Sequence, residues 1–371
     1  MQGLITLFTF IVTIGILVGF HEYGHYAAAR MCGVRVLRFA IGFGKPLFRF
    51  ASQNKTEWVI GSIPLGGYVK LLDGRDPEQT IDAANEINAF DRKPLWQRSF
   101  IVAAGPLANF ILAIAFLMVI YLAGATQLPA RLQAPPEASV AAKVGLVADD
   151  LVTGWRDIHA ASTDFEPVIS WNQLRWQLLD AITGEKGFVL ELTSPSGGRM
   201  AMPFPAEALP QIQPNQDPLQ ALGIRPAIAK PDEMVMLRLG PIDALVYASE
   251  RVWLITVVSA KLMVGLVTGE TSLNQLGGPL SIADMAGKSA QVGWQAFFGF
   301  LALMSISIGL LNLIPIPMLD GGQLLYDVWE LVSGKRLPIA AQEWLHKLSF
   351  ILLISLTLFA LFNDLKRYFL S

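Results

Sequence analysis

The sequence predicts a polytopic α-helical membrane protein with about four transmembrane helices and one inserted α/β-type module. Three observations carry this. Of 371 residues, 53% are hydrophobic and only 16% charged, against about 25% charged in ordinary soluble domains. Four apolar runs are long enough to cross a bilayer, which takes about 20 residues. Between the second and third of them, residues 127–229 change to the mixed polarity of a soluble domain.

The first run, Leu4 to Phe20, leads directly into His21-Glu-Tyr-Gly-His25. No positive stretch precedes it and no small-residue cleavage site follows, so a spanning helix over 1–30 is expected in place of a signal peptide. Eleven Lys and Arg run from Arg30 through residues 31–98 to Arg98, Lys55 among them. By the positive-inside rule this segment is cytoplasmic, which puts the N-terminus outside. Its Ile41-Gly-Phe-Gly-Lys45 and Ile63-Pro-Leu-Gly-Gly-Tyr-Val-Lys70 stretches predict short hairpins. Apolar hairpins of this kind can dip into the membrane where protein covers their backbone.

The second span covers 99–124. In the module at 127–229, residues 135–152 predict a strand edge, a short helix and a turn into a strand. Trp171 to Leu179 has helical periodicity, and Gly187 to Thr193 alternates as a strand before the Ser196-Gly197-Gly198 turn. After two spans the module lies outside the cytoplasm. Residues 235–290 read as an interfacial amphipathic region, although Trp253 to Thr268 is apolar enough to be weighed as a further span. The third span, 294–322, is broken near its end by Pro315 and Pro317, and the fourth span with its tail occupies 343–371.

Composition also excludes. A formal net charge of −2 shows no pull toward nucleic acid. The lone Cys32 rules out an intramolecular disulfide framework and a multi-cysteine zinc cage. A metal would have to use His and carboxylate ligands, and the chain has only four histidines, at 21, 25, 159 and 346.

His21 and His25 are four residues apart, so on a helix they share a face and can converge on one ion. Glu22 beside them can serve as general base toward a zinc-activated water. Ionisable groups in a spanning helix cost about 2.5–3.5 kcal/mol each on insertion scales, so three within five residues call for a common partner. Two histidines leave a catalytic zinc one protein ligand short. Asp320, in Asn312-Leu-Ile-Pro-Ile-Pro-Met-Leu-Asp-Gly-Gly322, is the candidate third ligand. Pro315 and Pro317 unwind its turn, and Gly321 and Gly322 allow close backbone approach. The competing role for Asp320 is a cap on the next helix. His21 lies about 26 Å along the first helix, near its inner end. Asp320 reaches the same level only if Trp253 to Thr268 does not cross. His159 and His346 read as solvent-facing or packing residues.

These motifs resemble the paired signature of the site-2 protease family of intramembrane zinc metalloproteases, most closely its bacterial regulator-of-sigma-E branch. Gly42-Phe43-Gly44, Gly66-Gly67-Tyr68-Val69-Lys70, Ala104-Gly105-Pro106-Leu107-Ala108-Asn109-Phe110, Gly277 to Gly287 and Phe362-Asn363-Asp364 extend the similarity along nearly the whole chain. The resemblance implies a Zn2+ enzyme of the bacterial inner membrane that performs regulated intramembrane proteolysis. Its substrates would be single-pass membrane proteins, such as anti-sigma factors after a first cut, and remnant signal peptides. It also implies that Asn312 and the turn with Pro315 and Pro317 hold substrate. The Gly42, Phe43 and Gly44 region would belong to a membrane-dipping β-loop that pairs with substrate as an added strand. The module resembles a PDZ domain, facing the periplasm and able to take a peptide ligand, while the active site lies toward the cytoplasmic side. Known members of this branch carry two tandem PDZ domains; this chain has room for one. Two other classes stay open. A membrane PDZ adaptor with a structural metal would need four protein ligands, and a metal transporter would need polar groups along several helices, where the second span offers only Asn109.

Overall fold

A computed structural model describes residues 2–51, 56–76, 79, 83–209, 218–228, 233–268 and 278–370. Lys55 and Gly277 lie outside the described residues. The chain divides into two compact units, Met1–Leu117 with Leu276–Ser371, and Met118–Gln275.

The first unit is built on long apolar helices. Helix α1 spans Gln2–Met31 and α2 spans Leu95–Ala123. Later come α7 (Pro279–Val292), α8 (Trp294–Leu313), α9 (Asp320–Ser333) and α10 (Ile339–Leu370). Among the described residues, four helices are long and apolar enough to cross a membrane: Gly3–Met31, Leu95–Ala123, Trp294–Leu313 and Ile339–Lys366. The first three of them meet through Leu17 of α1, Leu112 of α2 and Leu301 of α8, all buried in one cluster. Many of their other apolar side chains stand exposed, including Leu4, Phe8, Ile111, Ile351 and Leu358, as helices surrounded by lipid require.

Two expectations change here. The third span does not run on to residue 322. The backbone turns extended at Ile314 (ψ 138°), because a residue before proline is pushed out of the helical region. Asp320 therefore opens a separate helix, α9. The two short hairpins expected at 41–45 and 63–70 are instead parts of one long antiparallel pair, β1 (Val36–Ala51) with β2 (Glu57–Leu71). Each strand is bent, so Arg38 to Ile41 lie beside both Glu57 to Ile60 and Gly67 to Lys70. The bend in β1 falls at Gly42 and Gly44, both with φ of 86°, a backbone conformation only glycine adopts freely.

The second unit has a four-stranded sheet ordered β5-β4-β6-β7, from Glu166–Pro167, Leu151–Asp157, Phe188–Thr193 and Arg199–Phe204. Short helix α3 (Val140–Val144) precedes β4, and α4 (Trp171–Thr183) and α5 (Pro218–Leu222) complete its core. Leu174 and Leu178 of α4 pack with Phe188, Leu190, Leu192, Phe204 and Ile224. A second pairing joins β3 (Ala125–Gln127) to β8 (Val235–Leu237).

Helix α6 (Pro241–Thr268) is the stretch that could have been taken for a span. It is not among the four spanning candidates. Arg251 is buried, with Nη2 donating to the Asn172 carbonyl at 3.1 Å. Lys261 pairs with Asp180 of α4 at 2.6 Å, and Val258 enters the module's core. Arg251 and Lys261 thus anchor this apolar helix to α4. The 235–290 stretch is therefore divided: α6 packs with the second unit, whereas α7 packs against α1, α8 and α10 in the first.

Candidate active site

The site forms where α1, α2 and α9 approach. His21 and His25 sit on one face of α1, their rings edge to face with centroids 4.8 Å apart. Helix α2 passes close enough for Nδ1 of His25 to donate to the Ile101 carbonyl at 2.9 Å. A carbonyl can only accept, so this bond puts the His25 proton on Nδ1 and leaves Nε2 bare. The close approach depends on glycine: a Cβ on Gly105 would run into the His25 ring, and one on Gly24 would strike the Ala104 carbonyl.

Asp320 arrives from the other end of the sequence. The sharp turn from Ile314 to Leu319 brings it back toward α1. Side chains at 321 and 322 would collide with the carbonyls of Leu313, Ile314 and Ile316, so the two glycines are what let the turn close. Asp320 occupies the first turn of α9 and makes no capping bond; the N-cap is Leu319.

Three donor atoms converge. Nε2 of His21 lies 3.2 Å from Nε2 of His25 and 3.2 Å from Oδ2 of Asp320, while Nε2 of His25 lies 3.4 Å from the same oxygen. That oxygen is buried and has no well-formed hydrogen bond, because its neighbours are near but not aligned to donate. A tetrahedral zinc with ligands at about 2.0–2.1 Å sets its donors about 3.3–3.4 Å apart. The triangle has that size, and the chemistry of the set (two imidazoles and a carboxylate) suits zinc. Among the described residues these three form the one cluster of His, Cys, Asp and Glu able to hold an ion. Three such ligands would leave one position open, as in catalytic zinc sites.

A cavity of about 460 Å³ opens onto this triangle. Glu22 and Asn312 line it, together with Gly66, Gly67, Tyr68 and Val69 of β2. Gly42, Phe43, Gly44 and Pro315 are not among its lining residues. Phe43 instead stacks on Tyr68, ring centroids 6.2 Å apart, and Pro317 lines an adjoining cavity that shares Asp320. His159 is exposed in the second unit, and His346 is exposed beside Tyr326. Sequence reasoning quoted the Gly66 to Val69 stretch without giving it a place in the site. It likewise quoted Gly105 and Asn109, as part of the resemblance and as the polar residue of the second span, without placing either at the site.

A four-span helical chain whose His-x-x-x-His pair meets a distant carboxylate around an open position has the construction of a membrane metalloprotease. The sequence profile of peptidase family M50 matches residues 9–356. A relative in Ralstonia nicotianae, named as a zinc metalloprotease, is 33% identical over 99% of this chain and all of its own. The regulator of sigma E protease of Haemophilus influenzae is 32% identical over 99% of this chain and all of its own. The regulator of sigma-E protease RseP of Escherichia coli is 32% identical, covering 97% of this chain and 98% of its own. The chain belongs to peptidase family M50 and is an intramembrane zinc metalloprotease.

Proposed function

We propose that the protein carries out regulated intramembrane proteolysis in the bacterial inner membrane. In this reading His21, His25 and Asp320 hold zinc and Glu22 is the general base. The observation that carries the proposal is the triangle of donor atoms, 3.2 to 3.4 Å on a side, assembled from segments about 300 residues apart in sequence. No fourth ligand accompanies them among the described residues, which disfavours a closed structural site and with it the adaptor reading.

Held by these three residues, zinc would supply Lewis-acid polarisation of the scissile carbonyl and a water of pKa about 7. Glu22 follows His21 on α1 and lines the same cavity. Its carboxylate takes a proton from the attacking water and passes it to the leaving amine. Asn312, in the last turn of α8, holds the substrate backbone beside the reacting carbonyl. A helical peptide bond is shielded by its own hydrogen bonds, so the substrate must unwind before it is cut. Residues Gly66 to Val69 run along the cavity and offer backbone to an unwound segment as an added strand. Gly42, Phe43 and Gly44 make the bend behind that edge, and Pro315 and Pro317 shape the turn that delivers Asp320. Exposed Phe43, Leu47, Phe48, Phe50, Ile60 and Ile63 suit a β-loop lying in lipid.

The 127–229 module is read as a single periplasmic PDZ-like domain. Supporting this, a cavity of about 630 Å³ lies between α4 and the stretch after α5, lined by Trp171, Arg175, Ile224 and Arg225. Its two guanidinium groups suit a peptide carboxylate. The alignments to the two sigma-E proteases run over 444 residues, well beyond the 371 of this chain, so those relatives carry an additional segment. Two relatives are named for regulation of sigma E, which fits the substrate type that the family resemblance implies, a membrane-bound anti-sigma factor already trimmed outside; remnant signal peptides are the second substrate class.

The test is cleavage of a tagged anti-sigma-factor fragment by the purified protein. E22Q should keep its zinc and lose activity by about 10²- to 10⁴-fold, the usual contribution of a positioned base. Wild-type cleavage by E22Q would remove Glu22 from the mechanism.

A further inference from the structure

Asn109 stands out in an apolar helix, and the functions assigned above leave it unused. Its side chain is fully buried, at 0% exposure. Its Nδ2 lies 3.3 Å from Nδ1 of His21. Its Oδ1 is buried without a hydrogen-bond partner. Helix α8 fixes its place: Ser305 Oγ donates to the Asn109 carbonyl at 2.7 Å, and Gly309 lies close against its Cβ.

In this orientation Nδ2 donates to a bare Nδ1. The His21 proton then sits on Nε2, the nitrogen that faces Asp320. A nitrogen cannot keep that proton and bind zinc as well. Once the proton moves to Nδ1, an N–H would point at the Asn109 amino group, and two donors would face each other in a buried site. Turning the amide through half a turn keeps its outline. The partnerless Oδ1 then meets the Nδ1 proton.

We propose that Asn109 is a positioning residue for the zinc ligand His21: its Oδ1 accepts the Nδ1 proton and holds the ring with the Nε2 lone pair toward Asp320 and His25. The proposal rests on His21 being a ligand. Its counterpart is already formed at His25, whose Nδ1 donates to Ile101. Helix α2 runs back along α1, so positions 101 and 109 of one helix serve positions 25 and 21 of the other. A hydrogen bond to the remote nitrogen fixes tautomer and ring orientation and raises the basicity of the ligand.

The experiment measures zinc affinity of the purified full-length protein by chelator competition for wild type, N109L, N109D and H21A. Visible spectra of the cobalt(II)-loaded forms accompany it. Leucine matches the amide in size and removes the acceptor, so N109L should bind zinc about 10- to 100-fold more weakly and show an altered cobalt spectrum. Aspartate can only accept, so N109D should keep wild-type affinity and spectrum. N109D also decides the matter alone should N109L not fold, because a residue needed as donor would be ruined by that change. The proposal is overturned if N109L binds zinc as wild type does while H21A loses it. It is equally overturned if N109D weakens binding as much as N109L. Should H21A itself retain full affinity, the ligand assignment fails and this proposal goes with it.

Discussion

His25 is held from three directions at once. Its Nδ1 proton goes to the Ile101 carbonyl, its Nε2 faces Asp320, and the flat face of α2 at Gly105 leaves just enough room for the ring. The i, i+4 spacing of His21 and His25 was visible in the sequence because it depends only on helix geometry. The tight clearance at Gly105 was not, since it depends on how closely two helices pass. This gives a direct expectation. In G105A the added methyl overlaps the His25 ring, so the ring must rotate or the helices separate. Overpacking of this kind costs about 1–3 kcal/mol, and zinc affinity should fall by about tenfold or more. Chelator competition alongside thermal unfolding measures both. An unchanged zinc affinity in G105A would mean the approach of α2 does not set the His25 geometry.

At the scale of elements, the placement of Asp320 depends on how α9 is moored. Arg98, in the first turns of α2 and only 2% exposed, donates to Glu330 at 2.7 Å. Ser99 donates to Asp327 at 2.8 Å. Arg336 adds a bond to Glu330 at 3.3 Å and one to the Asp91 carbonyl at 2.9 Å. Partial burial alone would raise the Glu330 carboxyl, but the Arg98 bond, with Arg336 behind it, outweighs that and holds it below its ordinary 4.5. A lowered carboxyl stabilises the fold above its unfolded pKa and loses that contribution as pH falls through the folded value. E330Q should therefore melt at a lower temperature than wild type at pH 7, and the gap should begin to shrink as the pH drops below 4.5 and close as it falls through the lowered folded value. Melting curves across that range check it; a gap independent of pH would mean the ion pair does not moor α9. Three of these four ties join residues more than 200 positions apart and leave no local trace in sequence. The break before α9 was partly legible, since Pro315 and Pro317 announced a turn. A helix next to Asp320 was weighed only as the alternative to a metal role; that Asp320 opens this helix and still faces His21 and His25 was not legible, because it depends on Gly321 and Gly322 fitting beneath the carbonyls of the preceding turn.

The whole molecule follows from where its charges can be afforded. Apolar surface covers the spanning helices, while buried polar and charged groups include His21 at the candidate metal site, Arg98 and Asp327 between α2 and α9, Arg251 at the α4–α6 contact, and Asp364 at the start of α7. Four spans were legible from run length and hydropathy, whereas the fate of Trp253 to Thr268 was ambiguous until Arg251 and Lys261 found partners on α4. In the proposed topology the 31–98 segment and the 127–229 module lie on opposite sides of the membrane. Cysteines introduced in a Cys32-free background at Lys143 and Arg92, both exposed, test this with a membrane-impermeant maleimide on spheroplasts. K143C should react at once and R92C only after permeabilisation. Equal labelling of both in intact spheroplasts would contradict the orientation.

The central claim is that two imidazoles and the Asp320 carboxylate grip one zinc ion. X-ray absorption at the zinc edge of the purified protein tests it most directly. Wild type should give a shell of nitrogen and oxygen at about 2.0–2.1 Å with scattering from two imidazole rings and no sulfur, and D320A should lose bound zinc. A sulfur shell at about 2.3 Å, or full zinc occupancy in D320A, would contradict the account.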